Sequence, residues 1–286
     1  MIMKDVKSYF KDRNLFIASM HKKEKVIKPL LEENLEVNCV ISDNFNTDLF
    51  GTFSGEIERK NDAISTLRNK CMAAIEQFKC DLVVASEGSF GPHPEIFFQS
   101  ANQELVMLID VKNKLEIIGQ VLNCETNHSG SEITNISELN EFCDKTLFPT
   151  HALIIKKSKN ETDGIIKGIT EKSSLINAVE NLFDLKGSAY LETDMRAMHN
   201  PTRMRNIEKA TINLIQNICS QCPVCSTPGF RVVKLNRGLK CEACGSPTNS
   251  VISHRYTCEH CNHSEEKQFP DGKTAEDPMY CQMCNP

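Results

Sequence analysis

No apolar run in this 286-residue sequence approaches the ~20 residues that a membrane-spanning helix needs, so no membrane insertion is expected. The opening MIMKDVKSYFKDRN lacks an apolar h-region, so no secretory signal is expected and the chain reads as cytoplasmic. An excess of basic charge is missing too. Lys and Arg number 33 against 38 Asp and Glu, a formal net charge of −5, which argues against nonspecific nucleic-acid binding as the main activity. What is present, 40% hydrophobic and 25% charged residues, suits a globular main domain with a smaller companion.

Cysteine is the exception to this ordinary composition. Of 14 cysteines, Cys39, Cys71, Cys80, Cys124 and Cys143 are scattered, while nine fall between Cys219 and Cys284. Eight of those nine form C-x2-C pairs: Cys222 and Cys225, Cys241 and Cys244, Cys258 and Cys261, Cys281 and Cys284. That is metal-ligand spacing in a reducing compartment, and it implies two structural zinc ions, each closed by four thiolates. CPVCSTPG resembles CEACGSPT, and YTCEHCN resembles YCQMCN, so the expected pairing is first knuckle with second and third with fourth. A crossed pairing is the alternative. Cys219 is left over, and His254, His260 and His263 are not expected to be ligands. From Cys219 onward seven Lys and Arg face seven Asp and Glu, and a zinc centre of four thiolates is itself anionic. Such a tail is a poor phosphate clamp. It reads as a metal staple for a segment too short to build its own core, with contacts to protein, within the chain or in a homodimer.

The larger part of the chain is organised around Gly51–Pro94. Ala63, Ile64, Leu67, Cys71, Ala74, Ile75 and Phe78 recur at helical spacing, with Asp62, Arg68, Asn69 and Lys70 on the polar face. Leu82–Ala85 is an unbroken apolar run suited to a strand covered on both faces. Ser86 and Glu87 then stand at the expected C-terminal end of that strand, where α/β sheets bind ligands, ahead of a Gly/Pro-rich turn.

Before this stretch, NLFIAS (14–19) and VNCVIS (37–42) read as strands joined by a helix. Pro29 predicts either a kink in that helix or a start near Lys28. After it, EIFFQS, ELVMLID and LEIIGQVLNCE, separated at Ala101–Gln103 and Lys112–Lys114, read as an antiparallel insert. A helix through Ile133–Phe142, a strand at His151–Lys156, a helix at Lys172–Leu185 and a strand at Ser188–Thr193 follow. Asn200-Pro201 is an N-cap and N1 pair that opens one more helix. Asp194, Arg196, His199, Arg203 and Arg205 crowd this strand–helix junction and suggest an anion site. The expected architecture is an α/β domain over 1–215, a mixed sheet with flanking helices and an antiparallel insert, followed by a double zinc ribbon over 216–286.

Two resemblances follow from these residues. Through ASMHKKEKVIKPLL, FGTFSGEIER, ASEGSFGPHP, ETDMRAMHNPTRM and the four-knuckle tail, the chain resembles an uncharacterised bacterial family, a domain of unknown function. Residues from about 14 to 215 also resemble inosine/xanthosine triphosphate pyrophosphatases. Ala18-Ser19-Met20-His21 sits where their A-T-x-N stands, Asp62-Ala63 through Arg68-Asn69-Lys70 is similar to their N-A-x-x-K-A helix, and Glu87-Gly88 and Arg203 match their acidic strand end and basic closing helix. His21 replaces the usual Asn, and Glu24 falls where a phosphate-binding Lys would stand. The resemblance implies Mg²⁺-dependent hydrolysis of a nucleoside triphosphate or related phosphorylated metabolite. Glu87 and Asp62, with Glu56 or Glu58, would hold the metal. Lys22, Lys23 or Lys25, with Arg203, would neutralise phosphate, and His21, Ser86, Arg196 and His199 complete the expected substrate-binding set. The alternative is a non-catalytic nucleotide-sensing or protein-binding module that uses the same pocket.

Overall fold

The computed structural model describes residues 6–50, 61–94, 96 and 98–286, so Glu56, Glu58 and nearly all of FGTFSGEIER lie outside the described residues. The chain forms two compact units, Phe10–Ile215 and a second built from Gln216–Pro286 with residues 6–9.

The first unit opens with β1 (Asn14–Ala18), α1 (Glu24–Leu35) and β2 (Asn38–Val40). Helix α1 carries Pro29 in its interior and begins at Glu24, four residues before the start that Pro29 suggested. Complete burial of Ile27, Leu31 and Leu35 offsets the hydrogen bond that proline removes. Helix α2 (Ala63–Phe78) is capped by Asp62, whose carboxylate accepts from the amides of Ile64 and Ser65. Its Leu67, Cys71 and Ala74 are fully buried, and Phe78 stacks on Phe16 of β1 at 4.2 Å.

β3 (Leu82–Pro92), β4 (Ser100–Asp110) and β5 (Leu115–Asn123) form a meander. They are not an insert. They extend the main sheet, whose order is β2-β1-β3-β4-β5, with β1 parallel to both β2 and β3. The GSFGP segment, expected as a turn, is strand, because β4 pairs with β3 through Pro92. Ala101–Gln103, also expected as a turn, lies inside β4; of the expected EIFFQS strand, Glu95 and Phe97 lie outside the described residues, and Phe98 and Gln99 form a turn and bend that lead into Ser100.

β6 (Gly130–Ile133), α3 (Ile136–Lys145), β7 (Leu153–Lys156), β8 (Ile166–Ile169), α4 (Lys172–Lys186) and β9 (Ala189–Thr193) build a second sheet with two helices. Its order is β6-β9-β7-β8, antiparallel throughout. Ile133, Leu139, Phe142, Leu153, Ile155, Leu175, Val179 and Leu191 form its core. Helix α5 (Pro201–Cys219) then returns to the main sheet. A Cβ at Gly119 of β5 would stand 2.2 Å from the Leu214 amide nitrogen, so this glycine lets the helix backbone lie directly on the strand. That approach carries the first turn of α5 over β4.

The second unit holds β10 (Arg231–Arg237), β11 (Val251–Thr257) and β12 (Ser264–Gln268), an antiparallel sheet in that order. Among the described residues no helix is long and apolar enough to cross a membrane.

Candidate functional site

Two sets of residues carry chemistry, one in each unit. In the second unit the eight knuckle cysteines gather into two groups able to hold a metal ion: Cys222, Cys225, Cys258 and Cys261, and Cys241, Cys244, Cys281 and Cys284. Cys222 and Cys261 sulfurs lie 3.6 Å apart, as do Cys225 and Cys258, while Cys241–Cys284 and Cys244–Cys281 are 3.9 and 3.6 Å apart. A tetrahedron with Zn–S bonds of about 2.3 Å has edges of about 3.8 Å, so both groups fit zinc with no position left open.

The pairing is crossed, first knuckle with third and second with fourth, which corrects the expectation from sequence likeness. The β10–β11 hairpin is the reason. Its register places Arg231 opposite Thr257, so the first knuckle, just before β10, meets the third, just after β11. The second knuckle sits at the hairpin's other end, beyond Arg237 and Val251. Seven residues of strand separate the two ends by roughly 20 Å, far beyond one zinc shell. The second knuckle instead meets the fourth through a Cys241–Glu276 bridge and a Glu242 amide donating to the Glu276 carbonyl at 3.0 Å. Cys219 and the three histidines belong to neither group.

In the first unit the chain leaves β1 toward β2 on one side and reaches β3 on the other. The C-terminal ends of β1 and β3 therefore flank a topological switch point, the usual ligand crevice of such sheets. The β1–α1 loop holds His21 and Lys22 in the left-handed region, φ 65° and 60°, a conformation costly for side chains of this kind. Lys23 follows and turns inward. It is 6% exposed, and its Nζ donates to Ser86 Oγ at 3.1 Å. Lys22 and Lys25 are exposed. The expected phosphate-binding lysines thus separate into one buried residue and two surface ones.

Strand β3 presents two faces here. Glu87, mid-strand rather than at a strand end, points with Val83 and Ala85 toward α2 and pairs with Lys70, both side chains 7% exposed. Lys70 was expected on a polar face, and it is buried because this partner lies beneath it. On the other face Ser86, Gly88 and Phe90 stand opposite Val106, Glu104 and Asn102 of β4. Arg203 lies over them, itself 1% exposed. Its Nε donates to Glu104 Oε1 at 2.7 Å, Nη1 donates to the Met195 carbonyl, and the guanidinium stands 5.3 Å from the Phe90 ring centre. A Cβ at Gly88 would come within 2.6 Å of Arg203 Nη2 and 2.7 Å of Glu104 Oε1, so a larger residue would have to displace the tips of this buried pair. Glu104 Oε2 and Asn102 Oδ1 are buried and have no hydrogen-bond partner among the described residues.

The β9–α5 junction supplies the rim. Asn200 Oδ1 accepts from the Arg203 amide at 2.9 Å, the cap expected from Asn-Pro. Asp194, fully buried, accepts from Arg196 Nη2 at 2.6 Å and from Arg196 Nε at 3.0 Å. Burial, and then Lys23, Arg203 and Arg196, push the His21 pKa down to about 4. Burial is also the main cause that pushes Lys23 down to about 7, with Arg203 and Lys70 adding to it and Glu104 and Glu87 opposing. His199 is lowered by burial, against the pull of Asp194.

The structure brings together His21, Lys23, Ser86, Arg196 and Arg203 from three stretches of sequence, the β1–α1 loop, β3 and the β9–α5 junction. It does not free the carboxylates expected to hold magnesium. Glu87 is engaged by Lys70, Asp62 caps α2, and among the described residues only the cysteine groups have metal-holding geometry. Sequence reasoning missed Glu104, its pairing with Arg203 over Gly88, and the burial of Lys70. A carboxylate leading the apolar ELVMLID run was the available signal for Glu104.

Among curated proteins none matches the chain. A family described as "Domain of unknown function (DUF6671)" matches residues 70–286, from the middle of α2 through the whole cysteine-rich segment. The chain belongs to this DUF6671 family.

Proposed function

We propose that the α/β unit binds a phosphorylated small molecule in the crevice beyond β1 and β3, and that the cysteine-rich unit is a zinc-stapled structural module. The observation that carries the reading is Lys23. Lys70 is matched by Glu87, Arg203 by Glu104 and Arg196 by Asp194, whereas Lys23 has no carboxylate within ion-pair distance among the described residues. A buried ammonium without a counter-charge is costly, and a phosphate at this switch point supplies the missing charge. The unpartnered acceptors Glu104 Oε2 and Asn102 Oδ1 favour a ligand that also carries hydroxyl or amino donors.

Binding rather than magnesium-assisted hydrolysis is the preferred reading, because Glu87 and Asp62 are already occupied by protein partners. The balanced charge of the cysteine-rich unit supports a structural and protein-contacting role over nucleic-acid binding.

Calorimetric titration with pyrophosphate and a panel of nucleoside mono-, di- and triphosphates tests the reading. At least one should bind, and Lys23→Met should weaken it by about 2 kcal/mol or more, roughly 30-fold. Absence of binding across the panel, or unchanged affinity in Lys23→Met, would refute it.

A further inference from the structure

Resting on that reading, we infer that the Lys23–Ser86 pair is the seat of the ligand's phosphoryl group, and that anion and proton enter this seat together. The geometry supplies the donors. Lys23 Nζ donates one N–H to Ser86 Oγ at 3.1 Å, and the Lys23 side chain makes no other hydrogen bond among the described residues. Ser86 Oγ accepts that bond and donates none among the described residues, so its O–H is available to donate to a further acceptor. Two ammonium N–H groups and one hydroxyl, side by side and almost wholly buried, match the acceptor oxygens of one phosphoryl group.

Proton coupling follows from what surrounds Lys23. Ser86 of β3, Glu104 of β4 and Arg203 of α5 surround it on one face of the sheet, His21 stands in its own loop, and Glu87 of β3 and Lys70 of α2 act on its charge from the other face. The two carboxylates are already matched by Lys70 and Arg203, so neither is left to hold Lys23 as an ammonium. With the pKa at about 7, much of the free protein at neutral pH carries Lys23 as the amine. A dianion beside it restores the ammonium, and the proton comes from solvent.

The test is calorimetric titration of the full chain with pyrophosphate and, separately, with sulfate, whose charge stays constant between about pH 6 and about pH 9. Runs at about pH 8 in buffers of different ionisation heat should show close to one proton taken up per anion bound. Sulfate affinity should fall roughly tenfold per pH unit above about pH 7, because the site must be protonated before it can pair. Lys23→Arg keeps the cation but cannot release its proton, so it should bind with no uptake and a flat pH profile. Ser86→Ala should weaken binding and leave the uptake in place. Binding without proton uptake in the wild type, or uptake that persists in Lys23→Arg, would overturn the inference while leaving the ligand-binding reading intact. Failure of the wild type to bind either anion would instead remove that reading and this inference together.

Discussion

Paired cysteine substitutions separate the crossed zinc arrangement from the serial one. In the structure Cys222 and Cys258 share one group, and Cys222 and Cys241 belong to different groups. Cys222→Ser with Cys258→Ser therefore damages one centre and should leave one zinc per chain, against two in the wild type. Cys222→Ser with Cys241→Ser damages both and should leave none. A serial pairing predicts the reverse outcome for the two variants, so the experiment has no neutral result. The energetic scale makes the readout sharp. A structural zinc centre contributes on the order of 10–16 kcal/mol in small zinc modules, as large as the whole stability of a typical domain at about 5–15 kcal/mol. The core of this unit is small, with Phe230 packed among Cys222, Cys258 and Tyr256, and cannot replace that contribution. Zinc content after dialysis against a mild chelator, with proteolysis of the 216–286 region in parallel, measures both effects. Retention of one zinc by the Cys222/Cys241 variant would refute the argument from hairpin register.

Other substitutions test the first unit. Gly88→Ala forces a methyl group against Arg203 and Glu104 at 2.6–2.8 Å, and the melting temperature should fall by the equivalent of about 1–3 kcal/mol. Lys23→Met removes a buried amine whose pKa falls from 10.5 to about 7 on folding. Between those values the unfolded chain holds more protons than the folded one, so Lys23 penalises the wild type most below about pH 7 and least above about pH 10.5. The variant should be the more stable protein at neutral pH, by up to about 4–5 kcal/mol, and its advantage should vanish as pH rises. Urea unfolding across this range measures it, and an advantage independent of pH would contradict the burial of a depressed lysine.

Much of this was legible in the sequence because the signals were local. The apolar spacing of α2, the Leu82–Ala85 run, the Asn200-Pro201 cap and the eight cysteines depend on neighbours within a few residues. What stayed hidden depends on pairing across the chain. GSFGP reads as a turn on its own residues, and it is strand because β4 supplies partners up to Ser100. The knuckles that look alike do not share zinc, because the hairpin decides which ends meet. Lys70 sits on what reads as a solvent face, and only the fold shows Glu87 beneath it. Of three lysines within four residues, spacing could not say that Lys23 alone turns inward to Ser86.

The measurement that bears most directly on the account is the affinity of the full chain for pyrophosphate, wild type beside Lys23→Met, at about pH 7. The account predicts binding by the wild type and a loss of roughly 30-fold or more in the variant. Equal affinities, or no binding by the wild type to any phosphate compound, would contradict it.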